Sequence, residues 1–227
     1  MKLIIFDIDG TLLTVDRAVT RGVVAAVLSE VHGYDGTLPE YDYSGRTDRR
    51  ILLDLSALAG CDSDGRLEEL EHSLVANWSR ALRPGNITIH PGVHVLLEKL
   101  VAADGVAVGI LTGNLEPAAH LKLRLAGLDH YFSFGAYGSD ALDRDELPAI
   151  ALERARAALD VDVHHDRAVI VGDSHRDIGC AKFSGIRSLA VATGVQDLDY
   201  LTSFAPDAAV ASLLEADYLH SFISSPI

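Results

Sequence analysis

The sequence is poor in cysteine, in basic residues and in long apolar runs. Only Cys61 and Cys180 occur among 227 residues. Two cysteines make no disulfide framework, so a reducing, cytoplasmic setting is the expectation. No apolar stretch approaches the ~20 residues of a membrane span, and the N-terminus lacks the basic, then apolar, then small-residue pattern of a secretory signal. No membrane partner is expected. Without a secreted context, the glycosylation sequons at Asn77-Trp78-Ser79 and Asn86-Ile87-Thr88 read as chance matches. Lys and Arg total 19 against 33 Asp and Glu, a formal net charge of −14, which argues against a nucleic-acid partner. It still allows a small anionic substrate, because a metal ion can reverse the field inside one cleft. There is no internal repeat, no low-complexity segment and no glycine-rich dinucleotide turn.

What remains is an ordinary soluble composition, 48% hydrophobic and 23% charged. The length suits one domain, or one with an insertion, and such a chain hides roughly 70% of its unfolded surface. Leu3–Phe6 is a short continuous apolar run, the mark of a buried parallel strand. Three helices are then predicted in succession: 20–32 capped by Thr20, 47–59 capped by Thr47 and stopped by Gly60, and about 64–82 with Leu67, Leu70, Leu74 and Trp78 on its stripe. Beyond RPGN at 83–86 the pattern alternates. Helices are predicted at about 92–103, 116–126 and 146–158, and strands at 106–111, near Tyr131–Phe134, at 168–172, 187–192 and 207–210. Alternation of this kind implies right-handed crossovers and a parallel sheet covered on both faces. The predicted fold is α/β, a Rossmann-like doubly wound core (1–14 and 87–227) with an inserted helical cap domain (15–86) and hinges near 13–16 and 84–91.

Ligands of open parallel sheets bind beyond the carboxyl ends of the strands, and three predicted strand ends carry unusual polar residues. The first carries Asp7 and Asp9, the second Thr112, Gly113 and Asn114, the third Asp173 and Asp177. Four carboxylates on one edge repel one another unless a cation sits among them, and oxygen-only ligands suit Mg²⁺. Residues two apart on an extended segment point the same way, so Asp7 and Asp9 can face one cleft. Gly10 lets the backbone approach a ligand closely. One carboxylate can attack as a nucleophile while the other transfers a proton. Each motif alone has a plainer reading, as a cap or a turn; the ordered set with strand context points to chemistry.

These residues resemble the haloacid dehalogenase-like superfamily, specifically its phosphatases. DIDGT (7–11), ILTGN (110–114) and VIVGDSHRD (169–177) are similar to its first, second and fourth motifs, and the helical insertion to its first type of cap. YSGRTDRRIL (43–52) resembles a cap segment of the phosphoglycolate phosphatase-like branch. The resemblance implies Asp7 as nucleophile, Asp9 as acid and base, and Thr112, with Gly113 and Asn114, at the phosphoryl oxygens. It implies Mg²⁺ on Asp7, the Asp9 carbonyl and Asp173, with Asp177 supporting either the metal or the basic residue; Arg46 and Asp48 are candidates for cap residues at the substrate, and Thr47 and Asp48 read equally as a helix N-terminus. The implied substrate is a small phosphate monoester.

One departure stands out. The third motif is usually Lys-Pro, and no such pair exists here. Arg144 falls in that window and is expected to replace the lysine, since arginine binds phosphate bidentately and keeps its charge. Lys122, in HLKLRL, is expected to be a solvated helix position. His90 and His94 have metal-like spacing, but Pro91-Gly92 intervenes, so core or surface is expected. Cys180 reads as a small buried hydrophobe; His175, in the loop at the metal side, could touch substrate, but a structural role is expected. Among alternatives, a dehalogenase needs neither Mg²⁺ nor an acid at position 9, and a phospho-accepting receiver lacks the insertion. A sugar phosphomutase shares the core and stays open.

Overall fold

A computed structural model describes residues 1–215 and 217–225 of the chain. Strand β1 (Lys2–Phe6) is buried along its whole length because it has neighbours on both sides. It pairs in parallel with β4 (Val106–Leu111), setting Ile5 opposite Gly109, and with β6 (Ala168–Gly172), setting Ile5 opposite Ile170. With β5 (Phe134–Ala136), β7 (Arg187–Val191) and β8 (Ala208–Val210) the sheet order is β5-β4-β1-β6-β7-β8. Successive side chains of β1 serve opposite faces, as the pleat requires. Ile4 and Phe6 join one core with Leu96, Leu97 and Ala119; Leu3 and Ile5 join a second with Leu147, Ala151 and Cys180. Helices α4 (Val93–Val101) and α5 (Glu116–Leu125) supply the first; α6 (Leu147–Leu159) and α7 (His175–Phe183) supply the second. Among the described residues no helix is long and apolar enough to cross a membrane.

Three local expectations shift. The strand predicted near Tyr131–Phe134 begins at Phe134, and Asp129–Tyr131 is a 3₁₀ turn. Pairing decides this: the Phe134 ring lies over Gly109, where a Cβ would come 2.3 Å from the ring, so only that register seats the aromatic. Helix α1 runs Arg17–His32, three residues longer at its start than predicted, because the Asp16 carbonyl already accepts from the Val19 and Thr20 amides. Thr20 therefore sits inside the helix rather than at its cap. The expected hinges form a two-stranded antiparallel ribbon, β2 (Leu13–Val15) with β3 (Ile87–Ile89). Its period-2 pattern, with Leu13 and Val15 buried and Thr14 exposed, is too short to register in a sequence scan.

Between the ribbon strands stand α1, α2 (Asp48–Leu58) and α3 (Leu67–Ala81). The hydroxyl of Thr47 accepts from the Arg50 amide and caps α2, and Gly60 follows its end at φ 73°. The insert has a small core of its own, with Val24, Leu28, Ile51 and Leu55. Asn77, in one of the sequons, is buried and donates to Glu30 at 2.9 Å, which suits a packed residue.

Candidate active site

The carboxyl ends of β1, β4 and β6 lie side by side, and the residues after them meet there. Asp7 follows β1, Thr112 follows β4 and Asp173 follows β6. The Asp7 amide donates to Val171 O and the Thr112 amide to Ala136 O, extending the sheet's ladder to the site. Helix α7 begins there too: Ser174 caps it by accepting from the Asp177 amide, while Asp177 accepts from the Ser174 amide and hydroxyl. The capping box thus fixes Asp177.

Asp7, Asp173 and Asp177 each offer an oxygen within 4.8 Å of the others', and all three are buried. One cation in the structure lies among them. Arg144, in the 3₁₀ turn before α6, donates to Asp7 at 2.9 Å and Asp177 at 2.5 Å, and to the carbonyls of Leu111 and Gly45. Burial opposes its charge, but Asp177 and Asp7 more than compensate and hold its pKa well above the usual value. One guanidinium against three carboxylates leaves excess negative charge. Burial pushes Asp7 up to about 7, with Arg144 opposing and Asp177 adding. It raises Asp173 strongly, with Asp7 and Asp177 adding.

The cluster fits a hard divalent cation. Its donors are all oxygen, and its charge is under-compensated. The Asp173 carboxylate also fills a cradle that only glycine allows: a Cβ on Gly10 would come 2.3 Å from Asp173 Oδ2, and one on Gly194 1.7 Å from it. Thr11 Oγ1 donates to Asp173 at 3.3 Å.

The Asp9 carboxylate goes elsewhere. Lys122 Nζ donates to both its oxygens, at 2.8 and 2.7 Å, and Asn114 Nδ2 donates to Oδ2 at 2.6 Å. Asn114 Nδ2 also donates to Thr112 Oγ1 at 2.7 Å. Lys122 is therefore not a solvated helix position: it is 4% exposed, and its ammonium sits 4.7 Å from the centre of the Trp78 ring on α3. The sequence did hold a signal. Lys122 falls at helical spacing from Leu115, Ala118 and Ala119, all buried, so it lies on the apolar face of α5. Along the sequence Trp78 shows only as part of a core stripe.

The insert docks directly on the loop after β4. The Asp48 amide donates to Gly113 O at 2.7 Å, and the Asp48 carboxylate accepts from the Leu115 amide at 2.8 Å. Burial pushes that carboxyl up to about 6, against the pull of Lys122. Thr47 Oγ1 donates to Leu142 O at 2.7 Å. Arg46 turns back into the insert, to Asp54 at 3.5 Å and over the Tyr41 ring. Arg46 lines a groove of about 660 Å³ together with Arg50, Arg144 and Arg176. A Cβ on Gly113 would come 1.9 Å from Arg46 O. Gly113→Ala is thus expected to force residues 45–48 off the loop. Hydrogen exchange at the Asp48 amide should rise; unchanged protection would contradict the docking.

His175 bonds Gln196 and stacks on Phe204 at 5.1 Å. His90 Nε2 lies 3.0 Å from Thr14 Oγ1. Cys180 is fully buried, its thiol pushed up to about 12 by burial.

A profile of haloacid dehalogenase-like hydrolases matches residues 1–185. The pyrophosphatase PpaX of Oceanobacillus iheyensis is 24% identical over 214 residues, covering 91% of each chain. That of Halalkalibacterium halodurans is 25% identical, covering 94% of each. Among solved structures, a predicted phosphoglycolate phosphatase from Haemophilus somnus 129PT superposes with a TM-score of 0.70 at 19% identity, over 97% of this chain and 98% of that one. A haloacid dehalogenase-like hydrolase from Streptococcus pneumoniae gives 0.69 at 20% identity, over 97% and 98%.

Proposed function

This chain belongs to the haloacid dehalogenase-like hydrolase family, and on that premise we propose that it is a Mg²⁺-dependent phosphatase acting on a small phosphate monoester. The observation that carries the reading is the buried junction of Asp7, Asp173 and Asp177 on one guanidinium, Arg144. A bare carboxylate cluster repels a phosphate dianion; with one fixed cation and room for another it accepts one.

Asp7 is the nucleophile. Its free oxygen forms a bond to phosphorus as the ester P–O bond breaks, leaving an aspartyl phosphate. Asp9 protonates the departing oxygen, then takes a proton from the water that cleaves the aspartyl phosphate and frees inorganic phosphate. Arg144 holds Asp7 in line and opposes the charge growing on the phosphoryl oxygens. Thr112, Gly113 and Asn114 line the phosphoryl side. A divalent cation on Asp7, the Asp9 carbonyl and Asp173 would supply charge neutralisation and orient the phosphoryl group. The helical insert, residues 15–86, is the cap over the core of 1–14 and 87–227, and its contacts at Asp48 and Thr47 close the site to water. The same chemistry serves a phosphoric anhydride, the substrate in the relatives' name, pyrophosphatase, and phosphoglycolate, named for a structural neighbour.

The test is phosphate release from a panel holding pyrophosphate, phosphoglycolate, hexose phosphates and an aryl phosphate, with Mg²⁺ and with excess chelator. Mg²⁺-dependent release is expected, and chelation should abolish it. Full turnover in chelator would remove the metal from the mechanism. Conversion of a hexose 1-phosphate to its 6-phosphate without net release would make the enzyme a mutase instead.

A further inference from the structure

We propose that Lys122 is a positioning residue. It holds the Asp9 carboxylate away from the Asp7–Asp173–Asp177 cluster, on the side covered by the insert, and Trp78 completes that clamp from the insert itself. The proposal rests on the reading above, in which Asp9 is the acid.

A buried lysine is rare and costly unless its charge is paired. Lys122 is fully engaged. An ammonium has three donors, and here they reach Asp9 Oδ1, Asp9 Oδ2 and Asn114 Oδ1, the last at 2.6 Å. Asn114 ties the same carboxylate through its amide nitrogen. Asp9 therefore receives three directed contacts from the α5 side. Asp9 is absent from the group of carboxylates close enough to share a cation. The backbone turns after β1, with Asp9 bridged to Leu13, and from that turn Lys122 and Asn114 hold the carboxylate on their side.

The separation has a chemical consequence. A carboxylate drawn onto the divalent cation turns its oxygens to the metal and away from the place where a leaving group departs. Freed from Lys122, Asp9 is drawn by simple attraction toward the cation site. Trp78 adds a second link. It is 3% exposed and belongs to α3, so the cation–π side of the clamp exists only while the insert is docked. Docking of the insert and placement of the acid are thereby joined through one ammonium.

The test uses the full-length protein and kcat/KM, which reports steps up to aspartyl-phosphate formation. Lys122→Met keeps the length of the side chain and removes its charge. Loss of acid catalysis costs about 10²–10⁴-fold, and partial misplacement should lower kcat/KM for an alkyl ester such as glycerol 2-phosphate by about 10–100-fold. For p-nitrophenyl phosphate, whose leaving group needs little protonation, the loss should stay under about threefold by the same reasoning. Lys122→Arg should recover part of the alkyl-ester activity. In an Asp9→Asn background, Lys122→Met should change neither substrate, because a residue acting through Asp9 cannot be lost twice. Equal losses for both esters, or a full additional loss in that background, would overturn the proposal. If Lys122→Met does not fold, Lys122→Gln carries the same comparison.

A second readout needs no turnover. The crystal structure of the variant with Mg²⁺ should show the Asp9 carboxylate turned off Asn114 toward Asp7; an unmoved Asp9 overturns the proposal. A wild-type enzyme that releases phosphate from no ester would instead defeat the phosphatase reading, and the structural comparison would still decide the role of Lys122.

Discussion

Asp7→Asn is expected to remove turnover by at least about four orders of magnitude, the scale seen when a covalent nucleophile is lost, while the fold persists. The amide keeps the shape of the carboxylate and can still accept from Arg144, which donates to Asp7 at 2.9 Å. It cannot form an acyl phosphate under turnover conditions. The substitution also takes one negative charge out of a buried cluster of three, so thermal melting without metal should be unchanged or higher. Steady-state kinetics with a thermal melt checks both halves. A variant within tenfold of wild type would strip Asp7 of the nucleophile's role. A variant that is inactive because it is unfolded would show the junction to be a structural requirement of the sheet edge.

Arg144→Ala should give the next largest loss, about 10²–10³ in kcat/KM, or roughly 3–4 kcal/mol, the usual effect of deleting a preorganised electrostatic contact. Here the structure adds a consequence that the residue's position in the chain does not convey. The guanidinium is 5% exposed and bridges Asp7 and Asp177. Removing one partner of a buried ion pair typically costs about 3–5 kcal/mol of stability. The variant should therefore melt well below wild type without metal and recover with Mg²⁺, because a cation replaces the missing charge. Arg144→Lys should restore part of the rate, since one ammonium keeps the charge but cannot bridge both carboxylates with the fork. Lys122→Ala is expected to lose activity as well, given its contacts with Asp9. A near-normal Arg144→Ala enzyme would mean that the phosphoryl group is held from the Lys122 side.

The core of the fold was legible because its signals are local. Runs such as Leu3–Phe6 and 168–172 are continuous and apolar, and at four or five residues that pattern fits a strand buried on both faces better than a helix. The polar residues after them could be assigned to one edge because parallel strands put their carboxyl ends together. Asp7, Thr112 and Asp173 therefore came from sequence order alone. Arg144 was legible as a window rather than a contact. Its pairing with Asp7 and Asp177 crosses 137 and 33 positions of chain, and no local pattern encodes such a pairing.

Lys122 is the position at which residue type and burial disagree. Taken as a letter in HLKLRL, it looks like a solvated charge. Taken as a position, it lies on the buried face of α5 beside Ala118 and Ala119. The sequence by itself determined the strand ends, the helical insertion and the chemical types at the site, because periodicity and strand length depend on neighbours along the chain. Only the tertiary structure decided which cation serves which carboxylate. Arg144 goes to Asp7 and Lys122 to Asp9, since burial leaves each charge no solvent to turn to and makes pairing a matter of distance in space.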